Sequence, residues 1–277
     1  MSSPLTFKQD SVALVVGVGL MGQDLARGLL EHVKPKKLIL VDASEQLNVA
    51  GTPMTLERFA AGLDNPGGAE IVTLTANIAD EAAMAALFAA HKDVGYIVIT
   101  SGISPRPLTP PEQMDQAFYT HVFTVNTWGP INVINEAVKA GALADSSRGV
   151  ILLSTASLQG AQGRANNAYE VSKWGLRGWL VCQAHHYLTQ HNLVLNGISP
   201  NPLQGPMAVG NPVSASRVQR VIEETPLGLT RPEHITGQTL FFLADECNSA
   251  GQVITTCGGY TIPRPVYGYL PGDGPSK

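Results

Sequence analysis

Val12-Ala13-Leu14-Val15-Val16 runs directly into Gly17-Val18-Gly19-Leu20-Met21-Gly22, and the following stretch, Gln23–Val33, sets Leu25, Leu29, Leu30 and Val33 on one helical stripe. An unbroken apolar run, a glycine turn and an amphipathic helix together open a βαβ unit. The glycines permit a tight turn and let backbone N–H groups approach a pyrophosphate at the helix N-terminus. The GxGxxG spacing carries little weight alone. Set between a strand and a helix, it has the context that dinucleotide binding requires. Gly17, Gly19, Leu20, Met21 and Gly22 are thus the candidate phosphate-binding residues. Asp42 stands at the end of the next apolar run, 20 residues after Gly22. A carboxylate there can accept hydrogen bonds from the adenosine ribose diol and would repel a 2′-phosphate. Ala43 and Ser44 supply no cation to offset that repulsion, so the expected cofactor is NAD rather than NADP.

Outward from this unit, short apolar runs alternate with helical patterns. Leu38–Val41, Ile71–Leu74, Tyr96–Ile99, Val150–Leu153, Leu193–Ile198 and Gln252–Thr255 read as strands. Asp80–Ala90 (with Asp80 as N-cap), a helix within Phe118–Ala140, Tyr169–Thr189 and His234–Ala244 read as helices. Continuous apolar runs, rather than a period of two, argue for a parallel sheet covered on both faces. The expected fold class is α/β: a single Rossmann-like, doubly wound domain with about seven parallel strands and helices on both faces. It spans residues 1–277, with a core over 10–262 and an irregular tail over 263–277. No internal repeat or long linker interrupts it. Pro-rich stretches at Pro105–Pro111 and Pro200–Pro212 read as loops at strand ends.

Composition narrows the class further. The 277 residues carry 18 Lys+Arg against 22 Asp+Glu, a formal charge of −4, which gives no basic surface for nucleic acid. Charged residues are 14%, against about 25% in ordinary domains. So low a charge fits a surface partly covered by sister subunits. Hydrophobic residues at 44% supply an ample core and exclude disorder. Cys182, Cys247 and Cys257 form no CxxC pair, so neither a disulfide framework nor a Cys-rich zinc site is expected, and a reducing, cytoplasmic setting fits. The N-terminus lacks a signal-peptide pattern, and no run is long enough to span a bilayer.

Tyr169-Glu-Val-Ser-Lys173 places a phenol and an amine at i and i+4, on one helix face. Ser157 lies twelve residues before Tyr169, just past a strand. Together with the glycine turn, Ser154-Thr155-Ala156-Ser157, Val125-Asn126, Asn196–Pro200 and Gly251-Gln252-Val253 followed by Gly258-Gly259, this ordered set resembles the short-chain dehydrogenase/reductase family over about residues 10–262. A free Tyr, with a pKa near 10, is a poor base at neutral pH, and a neighbouring ammonium favours its phenolate. Tyr169 can then take a proton from a substrate hydroxyl or give one to a carbonyl. The resemblance implies that Lys173 also holds the nicotinamide ribose, that Ser157 bonds the substrate oxygen, and that Asn126 holds a water in a proton relay to Lys173. Ser154 is the rival for Ser157, but it is 15 residues from Tyr169, and the family spacing favours Ser157.

The chain also departs from the family pattern. Its glycine turn is shorter than usual. After the fourth strand, Ile99-Thr100-Ser101-Gly102 keeps only the glycine of the usual Asn-Asn-Ala-Gly. Asn77, followed by Ile78, stands in place of the acidic residue near the adenine, and its amide oxygen can still bond an amino group. Asn201 follows Pro200 where a Gly is usual, and Gly205 replaces the Thr that meets the carboxamide, leaving that contact to backbone groups near Leu203. Asn77, Ile78, Ser101, Gly102, Pro200 and Leu203 thus join Asp42, Tyr169, Lys173 and the glycine turn as candidate cofactor contacts. The resemblance implies NAD-dependent oxidation of a small secondary alcohol, or reduction of its ketone, by a homodimer or homotetramer, with no metal, nucleic acid or membrane partner. Two rivals are a non-catalytic dinucleotide sensor, which retained Tyr and Lys argue against, and an epimerase or dehydratase, which would carry a larger C-terminal region. Substrate-facing residues are expected in Leu203–Glu224. His185, His186 and His191 read as solvated or interface residues, Arg164 as a loop residue, Trp174 and Trp179 as core or subunit contacts, and Cys182 as packing.

Overall fold

The computed structural model describes residues 5–104, 110–158, 167–201, 222, 223 and 225–261. Seven parallel strands form its central sheet: β1 (Val12–Val16), β2 (Lys37–Asp42), β5 (Glu70–Thr75), β6 (Val94–Ile99), β7 (Leu143–Leu152), β8 (Leu193–Pro200) and β9 (Val253–Thr256). Their spatial order is β5-β2-β1-β6-β7-β8-β9, so the winding reverses between β1 and β6. A crevice at the carboxyl ends of the strands follows from that reversal, and ligands of doubly wound sheets bind there. β1 and β6 are buried along their whole length, as unbroken apolar runs in a two-sided sheet must be.

Helices cover both faces. On one side lie α1 (Leu20–Gly28), α2 (Leu56–Ala61) and α7 (Pro232–Leu243), packed over Ala13, Val15, Leu38, Leu40, Val150 and Ile198. On the other lie α3 (Glu81–Ala90), α5 (Gly129–Lys139) and α6 (Asn167–His191), over Val12, Leu14, Ile97, Ile151 and Leu195. Alternate strand residues therefore feed two separate apolar layers. Asp80 caps α3 by accepting a hydrogen bond from the Ala83 amide at 3.1 Å, as the sequence predicts.

Three features depart from the sequence reading. The first is an antiparallel hairpin, β3 (Gln46–Val49) and β4 (Thr52–Thr55), between β2 and α2. Ala50 and Gly51 both hold positive φ at its tip, and the Gln23 amide nitrogen bonds both Val18 O and Asn48 O at 3.0 Å, tying the hairpin to the glycine turn. The second is the helix expected within Phe118–Ala140. It divides into α4 (Gln116–Phe123), a five-residue π turn (Thr124–Trp128) and α5. The third is Cys182, which is exposed on α6 rather than packed. Trp174 is also 48% exposed, while Trp179 packs against Tyr187 with the rings tilted by 56° and their centroids 5.7 Å apart.

Candidate active site

The glycine turn is shaped by what its residues lack. The Gly17 N–H donates to Val41 O at 2.7 Å, and Gly17 takes φ of +90°, in the region that favours glycine. A methyl group on Gly17 would come within 2.7 Å of the Ser101 amide nitrogen, and one on Gly22 would collide with the Gly17 carbonyl oxygen. Thr100 Oγ1 closes the turn by donating to Gly17 O at 2.5 Å. Gly19 differs from both: it is exposed, caps α1 without a side-chain bond, and a methyl group on it would meet nothing within 4 Å. The α1 N-terminus thus faces open space, where the dipole and unpaired amides suit an anion. A pyrophosphate fits this cradle. Leu20 is half-buried and the Met21 side chain enters the core, so only their backbones can take part.

Asp42 closes the turn from the β2 side. Its carboxylate accepts from the Val18 amide at 2.6 Å and from the Ser44 amide at 2.9 Å. Ala76 N–H donates to Asp42 O at 2.8 Å, which brings the end of β5 alongside. There Asn77 is exposed, and its Oδ1 accepts from the Ala79 amide at 3.0 Å. Ile78 turns inward against Gly129, and its carbonyl accepts from Asn132 at 2.9 Å.

Across the switch point, the candidate catalytic residues come together as side chains. Lys173, on α6, is only 3% exposed, and its ammonium donates to the Leu152 carbonyl at the tip of β7 at 3.1 Å. Burial pushes this amine down to about 8. Tyr169 lies one helical turn earlier and is half-buried, with Lys173 Nζ 5.9 Å from its ring centroid. Gly102, at the tip of β6, leaves the room both groups need: a methyl group there would stand 3.3 Å from Lys173 Nζ and 3.4 Å from Asn126 Oδ1. Asn126, fully buried in the π turn, accepts from the Ile103 amide at 2.8 Å and donates to Ile103 O at 2.9 Å and Ser172 Oγ at 3.1 Å. Its side chain therefore fastens the loop after β6 to α6.

Ser157 sits in a 3₁₀ turn (Thr155–Ser157) after β7. It is fully buried, donating to Ser154 O at 2.6 Å with Ser199 Oγ at 3.3 Å. Ser154 is less buried and caps the turn, accepting from the Ala156 amide at 3.1 Å. Pro200 ends β8 beside Thr256 of β9. Leu203, Arg164, Gly205, the tail from 263 and all of the Leu203–Glu224 segment except Ile222 and Glu223 lie outside the described residues. Ser199 is not among the residues the sequence singles out, and Asn201 enters there only as a departure from the family pattern. Their signal is two polar residues two apart, Ser199 and Asn201, ending a face that begins with Leu193 and Leu195. His186 and His191 meet edge to face on α6 with ring centroids 5.5 Å apart, and among the described residues no group of three His, Cys, Asp or Glu could hold a metal ion. No helix among them is long and apolar enough to cross a membrane.

The fold and these strand-tip clusters define a doubly wound α/β protein with a dinucleotide-type turn. A family model described as enoyl-(acyl carrier protein) reductase matches residues 42–261. Levodione reductase of Leifsonia aquatica is 27% identical over 211 residues, 74% of this chain and 74% of that protein. The fold superposes with a TM-score of 0.78 on a short-chain dehydrogenase/reductase (glucose/ribitol dehydrogenase) from Brucella melitensis at 22% identity, covering 94% of this chain and 100% of the other. It superposes with a TM-score of 0.77 on the Bacillus cereus enoyl-acyl carrier protein reductase, solved with NADP+ and an indole naphthyridinone, at 19% identity over 91% of this chain and 96% of the other. The chain belongs to the short-chain dehydrogenase/reductase family, whose members are oxidoreductases that act on small molecules with nicotinamide dinucleotides.

Proposed function

We propose that this chain is an NAD-dependent alcohol dehydrogenase or ketone reductase acting on a small secondary alcohol or its ketone. The observation that carries this reading is Lys173: a buried amine held at the tip of β7, 5.9 Å from the ring of Tyr169. Bound NAD would supply the hydride acceptor. Gly19, Leu20, Met21 and Gly22 would hold its pyrophosphate by backbone amides, with Gly17 shaping the turn beneath it, Asp42 would hold its adenosine ribose, Asn77 and Ile78 the adenine edge, and Ser101, Gly102, Lys173 and Pro200 the nicotinamide end. Tyr169 Oη takes the proton from the substrate hydroxyl in oxidation and returns it in reduction. The Lys173 ammonium favours the phenolate during that transfer. Ser157, once its hydroxyl turns from Ser154 O, donates to the substrate oxygen. Asn126 fixes the position of the loop beside Lys173.

Asp42, clamped by two backbone amides and flanked by Ala43 and Ser44, supports NAD over NADP, because a 2′-phosphate would bring a second anion against it. The relative named for the reduction of levodione agrees with a ketone substrate. NADH formation with a panel of secondary alcohols tests the proposal. Tyr169→Phe is expected to lower kcat about a thousandfold while leaving the Kd for NAD nearly unchanged; a variant that keeps most of its rate removes Tyr169 from the chemistry. Asp42→Ala is expected to weaken NAD about tenfold and relax discrimination against NADP, measured by calorimetry with each dinucleotide. An unchanged preference removes Asp42 from the site.

A further inference from the structure

Asn201 is the least explained polar side chain at the strand tips. It is 2% exposed, and among the described residues neither its Nδ2 nor its Oδ1 has a hydrogen-bond partner. Its backbone N–H still donates to Thr256 O at 2.9 Å, so the pairing of β8 with β9 continues one residue past the strand. That continuation fixes the direction of its side chain. Leu193 and Leu195 enter the apolar layer under α6, and Ile198 enters the opposite one. Ser199 returns to the α6 side, where its hydroxyl meets Ser157. Asn201, two residues on, lies on the same face, about 6–7 Å further along the strand direction, at the crevice.

A buried amide with both ends unpaired is costly, and a leucine, with the same branching, would avoid that cost. The order of strand tips indicates what the amide is for. On the dinucleotide reading proposed above, on which this inference rests, the adenosine ribose sits at β2, the pyrophosphate at β1 and the nicotinamide ribose across β6 and β7. The next tip is β8, and the next part of the cofactor is the ring carboxamide. A primary carboxamide carries a carbonyl and an NH₂ side by side, as does Asn201. A ketone or simple alcohol offers only one polar atom and would leave the other end of Asn201 unpaired. We propose that Asn201 reads the nicotinamide carboxamide through a reciprocal amide–amide pair, with Nδ2 donating to the carbonyl and Oδ1 accepting from the NH₂. A side chain thereby does the work that a Thr does in the family pattern, at a chain where that position is Gly205.

The test is calorimetric binding of NAD and of its 3-acetylpyridine analogue, which carries a methyl ketone in place of the carboxamide, to the wild-type protein and to Asn201→Leu. Thermal unfolding of both proteins without ligand is measured alongside. The wild type is expected to bind NAD about tenfold more tightly than the analogue. Asn201→Leu is expected to bind both equally and more weakly than the wild type binds NAD, with an unchanged or raised Tm. Equal affinities in the wild type overturn the proposal without recourse to any variant. So does a variant that keeps the wild-type preference, or one whose Tm falls while the preference persists, which marks a structural amide. If the wild type binds neither dinucleotide, the dinucleotide reading itself fails, and this inference fails with it.

Discussion

The two halves of the crevice are built on opposite principles. At the β1 side, Gly17 and Gly22 matter because they lack side chains, and the turn is closed by its own bonds, from Gly17 N–H to Val41 O, from the Val18 amide to Asp42 and from Thr100 to Gly17 O. At the β6–β8 side the groups that matter are side chains withdrawn from water, Lys173, Asn126, Ser157 and Asn201, and two of them are poorly compensated. Lys173 bonds the Leu152 carbonyl, and the Asn201 side chain has no partner among the described residues. The comparison teaches that the first half favours folding while the second opposes it. Groups poised for chemistry are commonly held at such a cost.

Substitutions can break this contrast. The largest effect is expected from Gly22→Ala, because the added methyl meets backbone rather than a flexible side chain. A loss of about 3 kcal/mol or more is expected in urea unfolding, or no soluble protein at all. A variant as stable as the wild type would show that the turn is not close-packed.

Lys173→Met should act in the opposite direction. The folded amine titrates near 8 and the unfolded one near 10.5, so below pH 8 the protein carries the full penalty of a buried ammonium. Between those values the folded state releases its proton first, and stability rises with pH. Ligand-free Lys173→Met is therefore expected to melt a few degrees higher than the wild type at pH 7, less what the lost bond to Leu152 O costs, and to lack the rise above pH 8. A lower Tm at pH 7 and an unchanged pH profile would show the ammonium to be compensated. The smallest stability effect is expected from Gly19→Ala: the space is open and the position caps a helix, so a change within about 0.5 kcal/mol is expected, together with weaker NAD binding by calorimetry.

The parallel sheet was legible because its strands are unbroken apolar runs, and the glycine turn because it lies between two such patterns. The place of Asp42 at the end of β2 and the nearness of Tyr169 to Lys173 were legible from spacing. The hairpin was not. Its strands carry few apolar residues (Leu47, Val49 and Met54), Pro53 weakens the strand pattern, and Ala50-Gly51 is not a turn pair that favours positive φ at both positions. Its anchor, the Gln23 amide, is a tertiary bond with no sequence period. The break after α4 did carry a signal: Gly129-Pro130 follows Thr124–Trp128 directly, and Pro130 has no N–H to donate to the carbonyl four residues back, Asn126 O. Asn201 was visible as a departure from the family pattern, but its isolation depends on what packs around it.

That break has its own consequence. A π turn is one residue longer than the α turn it replaces, and each residue turns a helix by about 100°. The extra residue therefore re-aims everything downstream: α4 buries only Val122, while α5 presses Val133, Ile134 and Ala137 onto the sheet. A chain shortened by one residue here would still read as a good helix. It would roll α5 off its apolar bed and swing Asn126 away from Ile103, so that a deletion invisible to any propensity scale would dismantle the loop that borders the amine.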